Sequence, residues 1–152
     1  MQRFRRHVMK NKYFAVIDTN VIVSALISTS LESNPVKVFR AIIQEQIVPL
    51  YNDEILDEYR AVLSRVKFHL DSSLIETVLK AIITDGLSLD RTQASGIDFP
   101  DPKDIVFYEV ALSRDDSYLV TGNIRHFPAQ TFVITPAEMV RLLETPSDKK
   151  KE

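Results

Sequence analysis

Apolar and polar positions alternate along the chain in two periods. "YFAVID" (13–18) is a short apolar run of strand length, whereas "NPVKVFRAIIQEQ" (34–46) spaces Val38 and Ile42 as a helix does. "IVPLY" (47–51) reads as a strand, with Pro49 predicting a sheet edge or a strand end. "NDEILDEYRAVLSRV" (52–66) puts Ile55, Leu56, Tyr59, Val62, Leu63 and Val66 on one helical face behind Asn52 as N-cap. "SSLIETVLKAIITDG" (72–86) is a second amphipathic helix closed by Gly86, and "LSL" (87–89) a weak strand. After a loop through "RTQASGIDFP" come a helix in "DPKDIVFYEVALSR" (101–114) and a strand in "SYLVTG" (117–122). "TFVIT" (131–135) and "PAEMVRLLE" (136–144) close the pattern as strand and helix. Strands alternating with helices predict a three-layer α/β/α domain around a central, mostly parallel sheet of four to five strands.

A chain of 152 residues, 45% of them hydrophobic, is enough for one core and too short for two. Residues 1–8, with Arg3, Arg5, Arg6 and His7, read as a flexible basic arm or as a mis-assigned start ahead of Met9. Residues 9–144 form the domain, and "TPSDKKKE" (145–152) reads as a disordered polar tail. There is no cysteine, which removes disulfides and thiolate metal ligands and makes a reducing cytoplasm the expectation. No apolar run approaches the ~20 residues of a membrane span. A net charge of −2 is not that of a generic nucleic-acid binder. A carboxylate site that recruits divalent cations escapes this exclusion, because the ions bring charge that the residue count omits.

In parallel α/β sheets ligands bind beyond the carboxyl ends of the strands. Asp18 ends the first strand; it faces that crevice as a functional acid, or it caps a helix starting at Thr19 and Asn20. Asp101, Pro102 and Asp104 make a good helix start, which accounts for both acids structurally. That start also faces the crevice, so Asp104 can meet Asp18. A rotation of about 100° per residue puts Glu58 at the edge of the buried face and Asp57 in solvent. A boundary glutamate is more often an amphipathic surface residue. "LVTGNIRHFP" (119–128) brings Thr121, Gly122 and Asn123 to a strand end, followed by Arg125 and His126; a turn explains Gly-Asn equally well. Oxygen donors converging without cysteine suit Mg2+ or Mn2+ and phosphodiester chemistry.

Four stretches, "VIDTNVIVSALIS", "ILDEYRAVLSR", "DPKDIVFYEVAL" and "LVTGNIRHFP" followed by "VITPAEMV", together resemble a PIN domain over nearly all of residues 12–144. The likeness is to the bacterial branch regarded as toxin components of toxin–antitoxin pairs. It implies a metal-dependent endoribonuclease acting on single-stranded RNA. Asp18, Glu58 and Asp104 match the family's first three acids and would hold Mg2+ or Mn2+. Asn20 matches a polar residue that helps to hold the first acid, and Thr121 a hydroxyl beside the site. Asn123 stands at the catalytic position where the family commonly has a fourth acid, which weakens a second ion's site. Arg125 and the arm arginines are candidate phosphate contacts. The resemblance also implies a homodimer and an antitoxin protein as partner.

Two other functions compete. A PIN-like module that binds RNA or protein without cutting is favoured slightly by Asn123. A haloacid-dehalogenase-type phosphatase also places an Asp after its first strand, but it wants an acid where this chain has Asn20 and a lysine at a late strand end.

Overall fold

The computed structural model describes residues 12–145; the arm arginines and nearly all of the tail lie outside the described residues. The elements run β1 (Tyr13–Ile17), α1 (Thr19–Ile27), α2 (Asn34–Ile43), β2 (Ile47–Tyr51), α3 (Asp53–Leu63), α4 (Ser72–Asp85), β3 (Leu87–Ser88), α5 (Ile105–Leu112), β4 (Ser117–Val120), β5 (Val133–Ile134) and α6 (Pro136–Glu144). Short 3-10 turns at Val66–Phe68, Pro102–Asp104 and Ile124–His126 sit between them.

All strand pairs are parallel, in the order β3-β2-β1-β4-β5. The six helices flank this sheet in the expected three-layer arrangement. β1 and β4 are sheet neighbours with Ile17 opposite Val120. The chain leaves β1 toward β2 on one side and later enters β4 on the other, so the sheet's switch point lies between them. Ligand sites of open α/β sheets form at such a point.

The helices begin where capping chemistry allows. Ser33 accepts from Val36 N–H ahead of Pro35, Asn52 Oδ1 accepts from Ile55 N–H at 2.9 Å, and Thr135 with Glu138 forms a capping box before α6. Helix α2 stops at Ile43, three residues short of the periodic stretch. Glu45 takes a left-handed conformation (φ 64°) and Gln46 N–H bonds to Ala41 carbonyl at 2.8 Å, which turns the chain into β2.

Pro49 does not mark an edge strand. β2 lies between β3 and β1, but β3 pairs only with Leu50 and Tyr51, so the proline precedes the covered stretch. Gly86 is required where it stands: a Cβ there would come within 2.4 Å of both the Ile82 and Pro49 carbonyl oxygens. Ala15, Val16 and Ile17 of β1 and Leu119 and Val120 of β4 are buried at the centre of the core. Among the described residues no helix is long and apolar enough to cross a membrane.

Candidate active site

Beyond the β1 and β4 ends lies an open cleft of about 420 Å3. Asp18, Glu58, Asp104 and Asn123 all line it, with Asn20, Asp101 and His126 at the same wall. The three acids come from three separate elements, and each is placed by a different local cause.

Asp18 is carried by the β1–β4 ladder, its N–H bonding to Val120 carbonyl at 2.9 Å. A helix does start at Thr19, but the Asp18 side chain makes no capping bond to it. Its Oδ2 instead accepts from the Thr121 hydroxyl at 2.7 Å, and Thr121 Oγ1 accepts in turn from Asn123 N–H at 2.9 Å. Asn20, expected to steady Asp18, tethers the other strand end: its Oδ1 accepts from Gly122 N–H at 3.3 Å. A Cβ on Gly122 would sit 3.5 Å from that oxygen, an ordinary contact, so no close packing demands glycine there.

Glu58 is half-buried at the edge of α3's apolar face, and its neighbour Tyr59 is fully buried. The Tyr59 hydroxyl donates to Ile17 carbonyl, fixing α3 against the end of β1 and Glu58 beside Asp18. Asp101 keeps the cap role, Oδ1 accepting from Lys103 N–H at 3.0 Å, while its residue also borders the cleft. Asp104 follows on the same 3-10 turn and makes no capping bond to α5.

Burial raises the Asp18 pKa above its ordinary value, against the opposing Thr121 hydroxyl and Thr19 main chain. Asp104 is pushed up to about 6, first by burial and then by the charges of Asp18 and Asp101, with His126 opposing. His126 Nδ1 stands 3.3 Å from Asp104 Oδ2 without hydrogen-bond alignment, and that buried oxygen has no hydrogen-bond partner. Two desolvated carboxylates, one with an orphaned oxygen, are the donor set a hard divalent cation neutralises. Among the described residues no group of three His, Asp or Glu side chains forms a cage complete enough to hold an ion.

Arg125 does not border this cleft. It lines a neighbouring hollow with Ile124, Phe127 and Val133. The arginine at the acidic cleft is Arg65, accompanied by Phe68 from the turn after α3. The sequence pattern missed both, because α3 ends at Leu63 and Arg65 lies beyond it with extended backbone, where helical rotation no longer places a side chain. His126 was visible as a titratable residue after β4, with no signal that it would face Asp104.

Fold and cleft define an α/β protein with an acidic, oxygen-lined site at its switch point. A family model described as PIN domain matches residues 15–125, and the chain belongs to the PIN domain family. This is a nuclease-type family that generally uses divalent metal ions and commonly binds nucleic acid. Comparisons with curated proteins and with solved structures returned no significant match.

Proposed function

We propose that the protein is a Mg2+- or Mn2+-dependent endoribonuclease for single-stranded RNA, serving as the toxin of a toxin–antitoxin pair. The observation that carries the nuclease reading is the meeting of Asp18, Glu58 and Asp104 in one cleft, with Asp104 Oδ2 left without a hydrogen-bond partner. Asp18, Glu58 and Asp104 would hold the ion. Once bound, it acidifies water and offsets the charge that develops on a phosphodiester. Thr121 holds one Asp18 oxygen in place, and Tyr59 holds the helix that presents Glu58. Water attacks phosphorus in line, the P–O3′ bond breaks, and the water's proton ends on the departing 3′ oxygen. Asn123 adds a neutral donor at the cleft in place of a fourth carboxylate, consistent with one tightly held ion. The toxin role, a homodimer and an antitoxin that covers the acidic cleft are proposed from the likeness to the bacterial branch.

Purified protein incubated with a total-RNA pool and Mn2+ is expected to release discrete fragments bearing 5′ phosphates. Chelator and Asp18→Asn are each expected to reduce the rate by at least about 100-fold. Fragmentation that persists in Asp18→Asn overturns the assignment. The haloacid-dehalogenase alternative lacks its general acid, the position being Asn20.

A further inference from the structure

Helix α3 ends at Leu63, and residues 65–68 then fold back as a 3-10 turn closed by Phe68 N–H to Arg65 carbonyl at 3.1 Å. His69 ends the turn in a left-handed conformation (φ 55°). Arg65, the extended residue that caps the turn, and Phe68, which ends it, both line the acidic cleft. The Lys67 ammonium lies 5.2 Å from the centroid of the Phe68 ring.

A surface arginine is ordinarily just solvated, and an aromatic beside a core ordinarily just packs. Two observations separate this pair from that background. Arg65 shares a cleft with the four carboxylates Asp18, Glu58, Asp101 and Asp104, and among the described residues it forms no ion pair with any of them. Phe68 packs on the edge of the core yet is only partly buried, and it lines the cleft. A ring with a guanidinium and an ammonium in four residues has the composition of a single-strand platform: stacking for a base, positive charge for its phosphate.

We propose that Arg65 and Phe68 form a nucleotide subsite beside the acidic centre, Phe68 stacking an unpaired base and Arg65 gripping the adjoining phosphate. The subsite rests on the nuclease reading above for its location and gives that reading its preference for unpaired strands. A base inside a duplex has no free face to offer the ring, so duplexes are rejected without any contact dedicated to excluding them.

The chain has no tryptophan, so Phe68→Trp creates a single indole reporter at the subsite. It would be titrated, with Mn2+ present, with a single-stranded RNA octamer, with the same octamer annealed to its complement, and with an abasic strand of equal charge. Quenching by the single-stranded octamer alone is expected. Phe68→Leu, which keeps apolar packing, is expected to weaken octamer binding about tenfold by anisotropy. Arg65→Ala is expected to weaken it several-fold and reduce the slope of affinity against log salt by about one. Equal quenching by the abasic strand, or Phe68→Leu binding within twofold of wild type, overturns the subsite. A cleavage gel run on the same proteins separates the two claims. Asp18-dependent cleavage without base-dependent quenching sinks the subsite and leaves the nuclease standing; quenching without cleavage does the reverse.

Discussion

Thr121 and Asp18 lie 103 residues apart in the chain and are joined by a buried 2.7 Å hydrogen bond. A hydrogen bond to a charged acceptor contributes about 1.5–3 kcal/mol, and here it opposes the burial that raises the Asp18 pKa. Thr121→Val keeps the shape and removes the donor. Its Mn2+ affinity should fall about 10- to 100-fold, as for other residues that hold a ligand from behind, whereas Thr121→Ser should stay near wild type. Calorimetric titration of the three proteins distinguishes this from a packing role, for which Thr121→Val would bind as wild type does. Asn123→Asp tests the opposite change, adding a carboxylate where the chain has an amide. It should raise cleavage at limiting Mn2+ several-fold, and an unchanged metal dependence would remove Asn123 from the site.

The elements show how much of the site was legible and why the remainder was not. The α3 periodicity, read from the spacing of Ile55, Tyr59 and Val62, placed Glu58 at the boundary it occupies, because burial on a helix follows rotation angle alone. Asp18 was legible as a strand-end acid but not separable from a cap; the separation needed Thr121, a contact across the sheet that no local pattern encodes. Glu109 was invisible for the same reason. It sits on α5 among Phe107, Tyr108 and Val110, is 6% exposed, and accepts from Arg91 Nε at 2.7 Å and Ala94 N–H at 2.8 Å. Arg91 reaches on to Glu54 of α3 at 2.9 Å. This network ties the loop before Asp101 to two helices and so sets the register in which Asp104 enters the cleft. Burial alone would raise the Glu109 pKa, but Ala94 N–H and Arg91 together bring it below its ordinary value. Glu109→Ala leaves Ala94 N–H without its acceptor and takes from Arg91 one of its two carboxylate partners, at a cost of about 1–3 kcal/mol. Thermal melting should drop by several degrees and proteolysis within 92–100 should accelerate. A variant as stable and as protease-resistant as wild type would deny the loop its anchor.

Across the whole molecule the charge is −2, but the cleft concentrates carboxylates that the fold has partly removed from water. The folded protein holds the Asp104 proton up to about 6, whereas an unfolded aspartate releases it near 3.9. The native state therefore binds more protons than the unfolded chain in that window. Stability without divalent cations should be fullest below about pH 4 with respect to this group and should decline as pH rises through 6. Saturating Mn2+ should remove the decline, since the ion replaces the proton as the neutralising charge. Melting curves at pH 4.5, 6 and 7.5, with chelator and with Mn2+, would show it, and a cation-independent profile would refute it. The proposed nuclease stands on a divalent cation shared by Asp18 and Asp104, which line one cleft. Calorimetric titration of Mn2+ at pH 7.5 into wild type, Asp18→Asn and Asp104→Asn tests it most directly. One site in the wild type, weakened at least about tenfold in each variant, is the predicted result. Equal binding by all three proteins would contradict it.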